Sequence, residues 1–480
     1  MMFEPFIAIV PLLCVTLGGL VVLVAEAFRR PGEQTPFGGW CVLMLAAAAA
    51  ASMLLWDRGA ASFGVVSSDN FSLFVNFVLV VVGVLTVAFS PAGIERDRLP
   101  SGEYYALVMF AIAGMMLMAS AVDLLIVFLA LEVMSLAVYV LTGLCLDSAR
   151  GTEAAFKYFV LGAFSSAFFL YGVAFTYGIV GSTRLEDIGI AMAGQAGAQH
   201  PLTLVALALL VVGFGFKVSA VPFHMWAPDV YEGAPTVVTG FMSTGVKAAA
   251  FAAFARVLLS AFGSLAPDWA PILWLVAAAT MIVGTVAGVA QTNLKRLLAY
   301  SSIAHAGYLV VALVAGNDLG KGAVLFYLLV YAVTNVAAFG IIALVGVDRQ
   351  ADDRLDEYRG LWSRQPLLAG LLTVCLLSLG GFPPAAGFIA KWYVFSAAIS
   401  AGYAGLAVIG VLTSVVSVFF YLRIVVMMYM VEGPEGATAI PAPRSLAVAA
   451  LLVSVAIIVY LGVLPTRLLD LAAASIGTMY

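Results

Sequence analysis

Apolar runs of about 20 residues follow one another along nearly the whole chain, and this feature leaves few folds open. They fall near 5–27, 37–56, 70–90, 103–120, 122–145, 154–180, 202–220, 236–261, 271–291, 295–315, 320–346, 366–400, 404–430 and 445–464. In hydrocarbon every backbone N–H and C=O must be satisfied within its own segment or in a closed barrel, so runs this long read as helices. The expected fold is an all-α polytopic membrane protein with about 14 transmembrane helices. Composition points the same way, because 64% of the 480 residues are hydrophobic and 10% are charged. The first run has no basic stretch before it and no small-residue cleavage site, so it is expected to stay as a span.

Several function classes drop out. A net charge of −4 without a basic stripe and interleaved aromatics excludes nucleic acid as a partner. Cys14, Cys41, Cys145 and Cys375 sit in or beside apolar runs without metal-ligand spacing, so they read as packing residues. GFGF at 213–216 has no strand before it and is no dinucleotide loop. His224 and His305 could in principle ligate haem, but a proline break beside one of them fits water access better. No metal or cofactor is therefore expected in this chain.

Function is expected where the apolar pattern fails. Residues 213–247 read GFGFKVSAVPFHMWAPDVYEGAPTVVTGFMSTGVK, with Lys217 fifteen residues past the start of its run at Leu202. An ammonium at that depth is costly without a partner or water. Pro222 and Pro228 then interrupt the helix, and broken backbone inside a membrane needs protein or a hydrated cavity around it. After Pro235 a new helix carries Lys247 roughly 18 Å along its axis, again near mid-membrane. GGFPP at 380–384, with Pro383 and Pro384, splits the run at 366–400 in the same way. The two breaks lie five crossings apart, which predicts two five-helix repeats of opposite orientation, each with one broken helix. The expected organisation is a three-helix segment 1–102, a first repeat 103–261, an inverted second repeat 262–430 and a final helix within 431–480.

Basic residues set the orientation. Arg29, Arg30, Arg96, Arg98, Arg150, Lys295, Arg296, Arg349, Arg354, Arg359, Arg364 and Arg444 fall at loops on one side, against Arg58, Arg184, Lys321 and Arg467 on the other. The richer side is cytoplasmic by the positive-inside rule, which places both termini in the periplasm of a bacterial inner membrane. The charged loop 348–360 on the cytoplasmic side is a solvated connector or a docking surface.

Of six lysines, Lys217, Lys247 and Lys391 lie deep within runs and Lys157 about one turn in. Lys157 can reach an interface by snorkelling, whereas Lys217 and Lys247 are too deep for that. Lysine suits proton transfer because burial disfavours its charged form and a nearby carboxylate favours it. The candidate carboxylate is Glu132, about 13 Å deeper than Asp123, which reads as an interfacial cap. His305 forms a mid-span polar patch with Ser301 and Ser302, and His224 follows Pro222 where water could join it to Lys217. Each histidine could instead be a satisfied packing residue. Arg256 and Arg423, toward helix ends, read as snorkelling.

FKVSAVPFHMWAPDVYEGAPT at 216–236 and STGVKAAAF at 243–251 closely resemble the antiporter-like subunit family of proton-pumping NADH:quinone oxidoreductase (respiratory complex I), and within it the subunit N branch. The resemblance runs from SSDNFSLF at 67–74 to YLRIVVMMY at 421–429. It implies a fourteen-helix fold in which Glu132 is the fifth-helix glutamate, Lys217 its seventh-helix partner, Lys247 the central lysine and Lys391 the exit residue. Lys157 matches a sixth-helix lysine. The sister subunit M usually has glutamate where this chain has Lys391. The implied activity is proton translocation coupled to redox chemistry in partner subunits, where flavin, iron–sulfur clusters and quinone reside. Implied partners are membrane and peripheral subunits of that complex, sister antiporter-like subunits among them, and lipids. A subunit of a multi-subunit cation/proton antiporter is the alternative, and a structural subunit glued by buried charges is a third.

Overall fold

The computed structural model describes residues 4–30, 35–62, 64–346, 353–433 and 443–479. The helices that build the bundle and its breaks begin with α1 (Val10–Ala27), α2 (Phe37–Leu55), α3 (Asn70–Asp97), α4 (Ser101–Ser120), α5 (Leu124–Thr142) and α6 (Ala149–Val180). Then come α7 (Thr203–Val218), α8 (Trp226–Gly233), α9 (Thr236–Ala261), α10 (Ala266–Val289), α11 (Leu294–Ala315) and α12 (Asp318–Val345). The series closes with α13 (Pro366–Gly380), α14 (Ala386–Ser400), α15 (Ala404–Met430), α16 (Ser445–Val463) and α17 (Thr466–Ile476). Among the described residues, twelve helices are long and apolar enough to cross a membrane. The two shorter apolar helices, α7 and α13, each stop at a break.

Helix starts follow local chemistry. Asp69, Asp123, Ser148, Asn293 and Asn317 each turn a side-chain oxygen to a free N–H of the first turn of α3, α5, α6, α11 and α12. Asp123 is thus the cap its position suggested, and Thr183 Oγ1 donates to its other oxygen at 2.6 Å. On one face a hairpin of β1 (Ala60–Ser62) and β2 (Val66–Ser68) bridges to Ala121, and Asp123 bridges to Arg184. On the opposite face Asn293 bridges to Arg354. Arg349 and the start of the charged loop 348–360 lie outside the described residues.

Burial ranks the helices. The most apolar stretch of α9 is 100% buried and that of α11 94%, against 28% for α1 and α16, so α9 and α11 form the core. A helix apolar all round belongs in such a centre, and polar groups on it must find partners within the protein. Two turns of α9, Met242–Val246 and Val257–Ala261, are wound as π-helix. The first ends at Lys247.

Two expectations are corrected. Pro228 does not break a helix, because it occupies the first turn of α8, where its missing N–H has no partner to lose. The first break spans Ser219–Met225, around Pro222 alone. Arg256 does not snorkel: at 0% exposure it makes two hydrogen bonds to the Asp69 carboxylate, 2.6 and 2.9 Å long. Asp69 supplies a charge within reach, and Ala119 O and the Phe71 ring complete the enclosure.

Candidate functional site

The first break positions Lys217. Gly215 and Phe216 carbonyls at the end of α7 accept from Ala220 N and Ser219 N, and Ser219 takes the left-handed conformation (φ 61°). Trp226 Nε1 from α8 also donates to Phe216 O, at 2.9 Å, while Val221 N donates to Thr280 Oγ1 on α10. Backbone freed by the break is thus satisfied by protein. Lys217, 2% exposed, lies over the rings of Tyr139, Tyr158 and Phe216 at 5.1, 5.4 and 5.9 Å. Its Nζ donates to Tyr139 Oη at 3.5 Å. Aromatic faces attract a cation without neutralising it.

Glu132, on α5, is half-buried and accepts from Ser166 Oγ. No ion pair within 4 Å joins it to Lys217 among the described residues. The opening beside Tyr139 depends on Gly162, because a Cβ there would collide with the Tyr139 hydroxyl.

Lys157 stands apart. Its side chain is 41% exposed and pairs with Glu153 at 2.7 Å and Asp229 at 2.9 Å. Arg296 joins Asp229 and Glu232 at 2.8 and 2.9 Å, beside a cavity of about 180 Å³ lined by Arg150, Glu153, Lys157, Asp229 and Glu232. His224 is half-buried in the break, its Nδ1 has no partner, and it makes no hydrogen bond to Lys217.

The centre is a hub at Ser302. Lys247 Nζ donates to Ser302 O at 2.7 Å and to Ser302 Oγ at 2.5 Å. Tyr331 donates to the same Oγ at 2.8 Å, and Tyr231 Oη lies 3.4 Å from it. Asn335 ties Tyr331 to Ser243, one turn before Lys247. The neighbouring Ser301 pairs with Tyr421, whose hydroxyl is 3.3 Å from His305 Nε2, and His305 Nδ1 is 2.6 Å from Tyr327 Oη.

Lys391 closes the row at the second break. Its Nζ donates to Leu379 O and Gly380 O, the carbonyls α13 leaves free, at 2.9 and 3.0 Å, and to Ser414 Oγ at 2.9 Å. Gly381 makes this approach possible: it has φ +85°, and a Cβ there would lie 3.0 Å from Lys391 Cδ. Between His305 and Leu379 lies a cavity of about 10 Å³, also lined by Tyr331, Thr334 and Ser378. That is room for about one water, among polar partners.

Lys247, His305 and Lys391 therefore share one buried polar zone, joined through Ser302, Tyr331 and Tyr308, while Lys217 lies in a separate buried aromatic pocket beside Tyr139 and Tyr158; Glu132 is half-buried, and Lys157 and His224 lie outside the zone. Sequence reasoning missed Tyr139, Tyr158, Tyr231, Tyr327, Tyr331 and Tyr421, because a tyrosine in an apolar run carries no signal that separates a relay from packing. These hydroxyls donate and accept at once, which a lysine ammonium, a donor only, does not.

Residues 121–417 match the family described as NADH:quinone oxidoreductase/Mrp antiporter, TM. The chain is 43% identical to the NADH-quinone oxidoreductase subunit N of Trichlorobacter lovleyi over 472 residues, 98% of this chain and 96% of that one. A chain in the structure of respiratory complex I from Thermus thermophilus with bound aureothin superposes with a TM-score of 0.82 at 38% identity, covering 96% of this chain and 99% of that one. A chain of the Mrp complex from Dietzia sp. superposes with a TM-score of 0.85 at 22% identity, over 100% of this chain and 98% of that one, a likeness of fold.

Proposed function

Because the chain belongs to the NADH:quinone oxidoreductase/Mrp antiporter membrane family, and within it to the subunit N relatives, we propose that it moves protons along its buried Glu132, Lys217, Lys247, His305 and Lys391, driven by electron transfer in partner subunits. The observation that carries this reading is the row of buried amines held by neutral partners: aromatic rings at Lys217, Ser302 at Lys247, and carbonyls with Ser414 at Lys391. Buried structural charges pair off, as Arg256 does with Asp69, whereas groups that gain and lose protons need partners that tolerate both states. The antiporter alternative has behind it the shared family description and a likeness of fold at 22% identity.

The switch is Glu132. At an effective dielectric near 20, a carboxylate about 4 Å from an ammonium is worth roughly 4 kcal/mol and one at about 10 Å roughly 1.7. Moving Glu132 toward and away from Lys217 thus changes the hold on one proton by about 2.5 kcal/mol, enough to direct it toward Lys247. Exposed Leu129, Val133 and Leu136 share the helix face beside Glu132, so a sister subunit docked on α5 could drive the movement. In this reading the chain holds two inverted repeats, 103–261 and 262–430, each containing one of the two breaks, and the excess of basic residues on one face supports a periplasmic position for both termini. Flavin and iron–sulfur clusters belong to the partners.

Purification through a tag on this chain tests the assignment: flavin and iron–sulfur absorbance should co-elute with it, and their absence from the intact membrane assembly contradicts it. Gly162→Ala tests the site locally. Its Cβ must push Tyr139 off Lys217, and loss of a hydrogen bond to a charged group, at about 1.5–3 kcal/mol, should slow NADH-driven proton pumping roughly tenfold in vesicles with normal assembly. Unchanged pumping means Tyr139 does not serve Lys217.

A further inference from the structure

Lys217 and Lys247 are each anchored to a hydroxyl, but the two anchors do not meet. On one side Lys217 donates to Tyr139, and on the other Tyr231 lies 3.4 Å from the Ser302 Oγ that accepts from Lys247. Between them stands Tyr158 of α6. It is 0% exposed, and its hydroxyl has no hydrogen-bond partner. The ring is fixed, stacked on Trp226 at 4.4 Å and 6° and set edge-on to Tyr139 at 4.7 Å and 79°. Tyr139 of one anchor packs against its edge, and Trp226, stacked on its face, packs edge-on to Tyr231 of the other at 6.2 Å and 67°. A buried hydroxyl without a partner is costly, and a ring so firmly held keeps the group there.

We propose that the Tyr158 hydroxyl is the proton-passing link between Lys217 and Lys247, joining Tyr139 to Tyr231 and Ser302 when a water or a small shift closes the gaps. The inference rests on the relay reading above. A phenol hydroxyl accepts on a lone pair while it releases its own proton, so it conducts without ionising. As the Lys217 ammonium gives its proton to Tyr139 Oη, that hydroxyl passes its own to Tyr158, Tyr158 to Tyr231, Tyr231 to Ser302 Oγ, and Ser302 to the free Lys247 amine. Each O–H bond broken is replaced by one formed, leaving Lys217 an amine, Lys247 an ammonium and every hydroxyl neutral. Lys157, one residue away, takes no part, since it turns outward to Glu153 and Asp229.

The test uses the whole respiratory complex in sealed vesicles, with Tyr158→Phe, Tyr231→Phe and the double variant. Each single change should lower proton-coupled NADH oxidation at least about tenfold while assembly and NADH oxidation by an artificial acceptor stay normal. The double variant should be no slower than the slower single, because both cut one path. Wild-type pumping in Tyr158→Phe overturns the proposal, and so do losses that multiply in the double variant, which would mark two independent packing defects. Should Tyr158→Phe not assemble, Tyr231→Phe cuts the same bridge, and wild-type pumping there overturns it equally. Lys217→Ala separates the two levels: if it too pumps normally, the relay reading fails, and if it alone is blocked, the tyrosine link fails.

Discussion

Lys247→Ala is expected to stop coupled turnover almost completely, by roughly a hundredfold or more, while Lys157→Ala keeps most of it. The difference follows from the surroundings. Lys247 is 2% exposed in the helix with the most deeply buried apolar stretch, and its Nζ satisfies both Ser302 oxygens in a hub that also holds Tyr331 and Tyr231. Removing the amine deletes the group there that binds and releases a proton, while Tyr331 still donates to Ser302 Oγ, so the loss falls on proton transfer. Water cannot easily stand in, since the site is closed. At Lys157 the side chain is 41% exposed beside an open cavity, and its acidic partners keep Arg296 as a second cation. Proton uptake by vesicles on addition of NADH decides the ranking, and a larger loss in Lys157→Ala reverses it.

Asp69→Asn should destabilise the chain by about 3–5 kcal/mol, the cost of stranding a buried charge. Asparagine still offers an oxygen to Ser72 N–H, so the start of α3 stays capped and the effect isolates the lost ion pair. Arg256 then lies at 0% exposure with a neutral amide oxygen, Ala119 O and the Phe71 ring where a carboxylate had balanced its charge. Replacing both charges, as Asp69→Asn with Arg256→Met, should recover more than half of the loss, because an apolar group tolerates that enclosure. Heating the detergent-solubilised complex and following the intact fraction by size exclusion measures this. A single variant as stable as wild type contradicts the account.

The lysines were legible in the sequence because a charge inside an apolar run is rare and costly, so Lys217, Lys247 and Lys391 stood out without any structure. The breaks were legible for a similar reason, since proline cannot continue a helix, although Pro228 misled by lying where a helix begins. Arg256 was misread because its partner is 187 residues away and nothing local announces Asp69 as more than a cap. Depth alone could not separate a snorkelling arginine from a paired one. The tyrosines were invisible for another reason: an aromatic ring satisfies the apolar pattern, and its hydroxyl matters only once the fold brings Tyr231, Tyr331 and Ser302 together. The π-turn before Lys247 had no sequence mark at all.

Glu132→Gln carries the central claim most directly, because it removes a charge and little else. Glutamine keeps the size and can still accept from Ser166, so the complex should assemble and oxidise NADH with an artificial acceptor at the wild-type rate. Without the carboxylate, the roughly 2.5 kcal/mol that moves a proton between Lys217 and Lys247 is gone. The measurement is simultaneous NADH consumption and proton uptake in sealed vesicles carrying the intact complex. The account predicts that quinone-coupled consumption and pumping fall together by at least about tenfold. Wild-type pumping per NADH at wild-type turnover would contradict it, and Glu132 would then not govern the proton on Lys217.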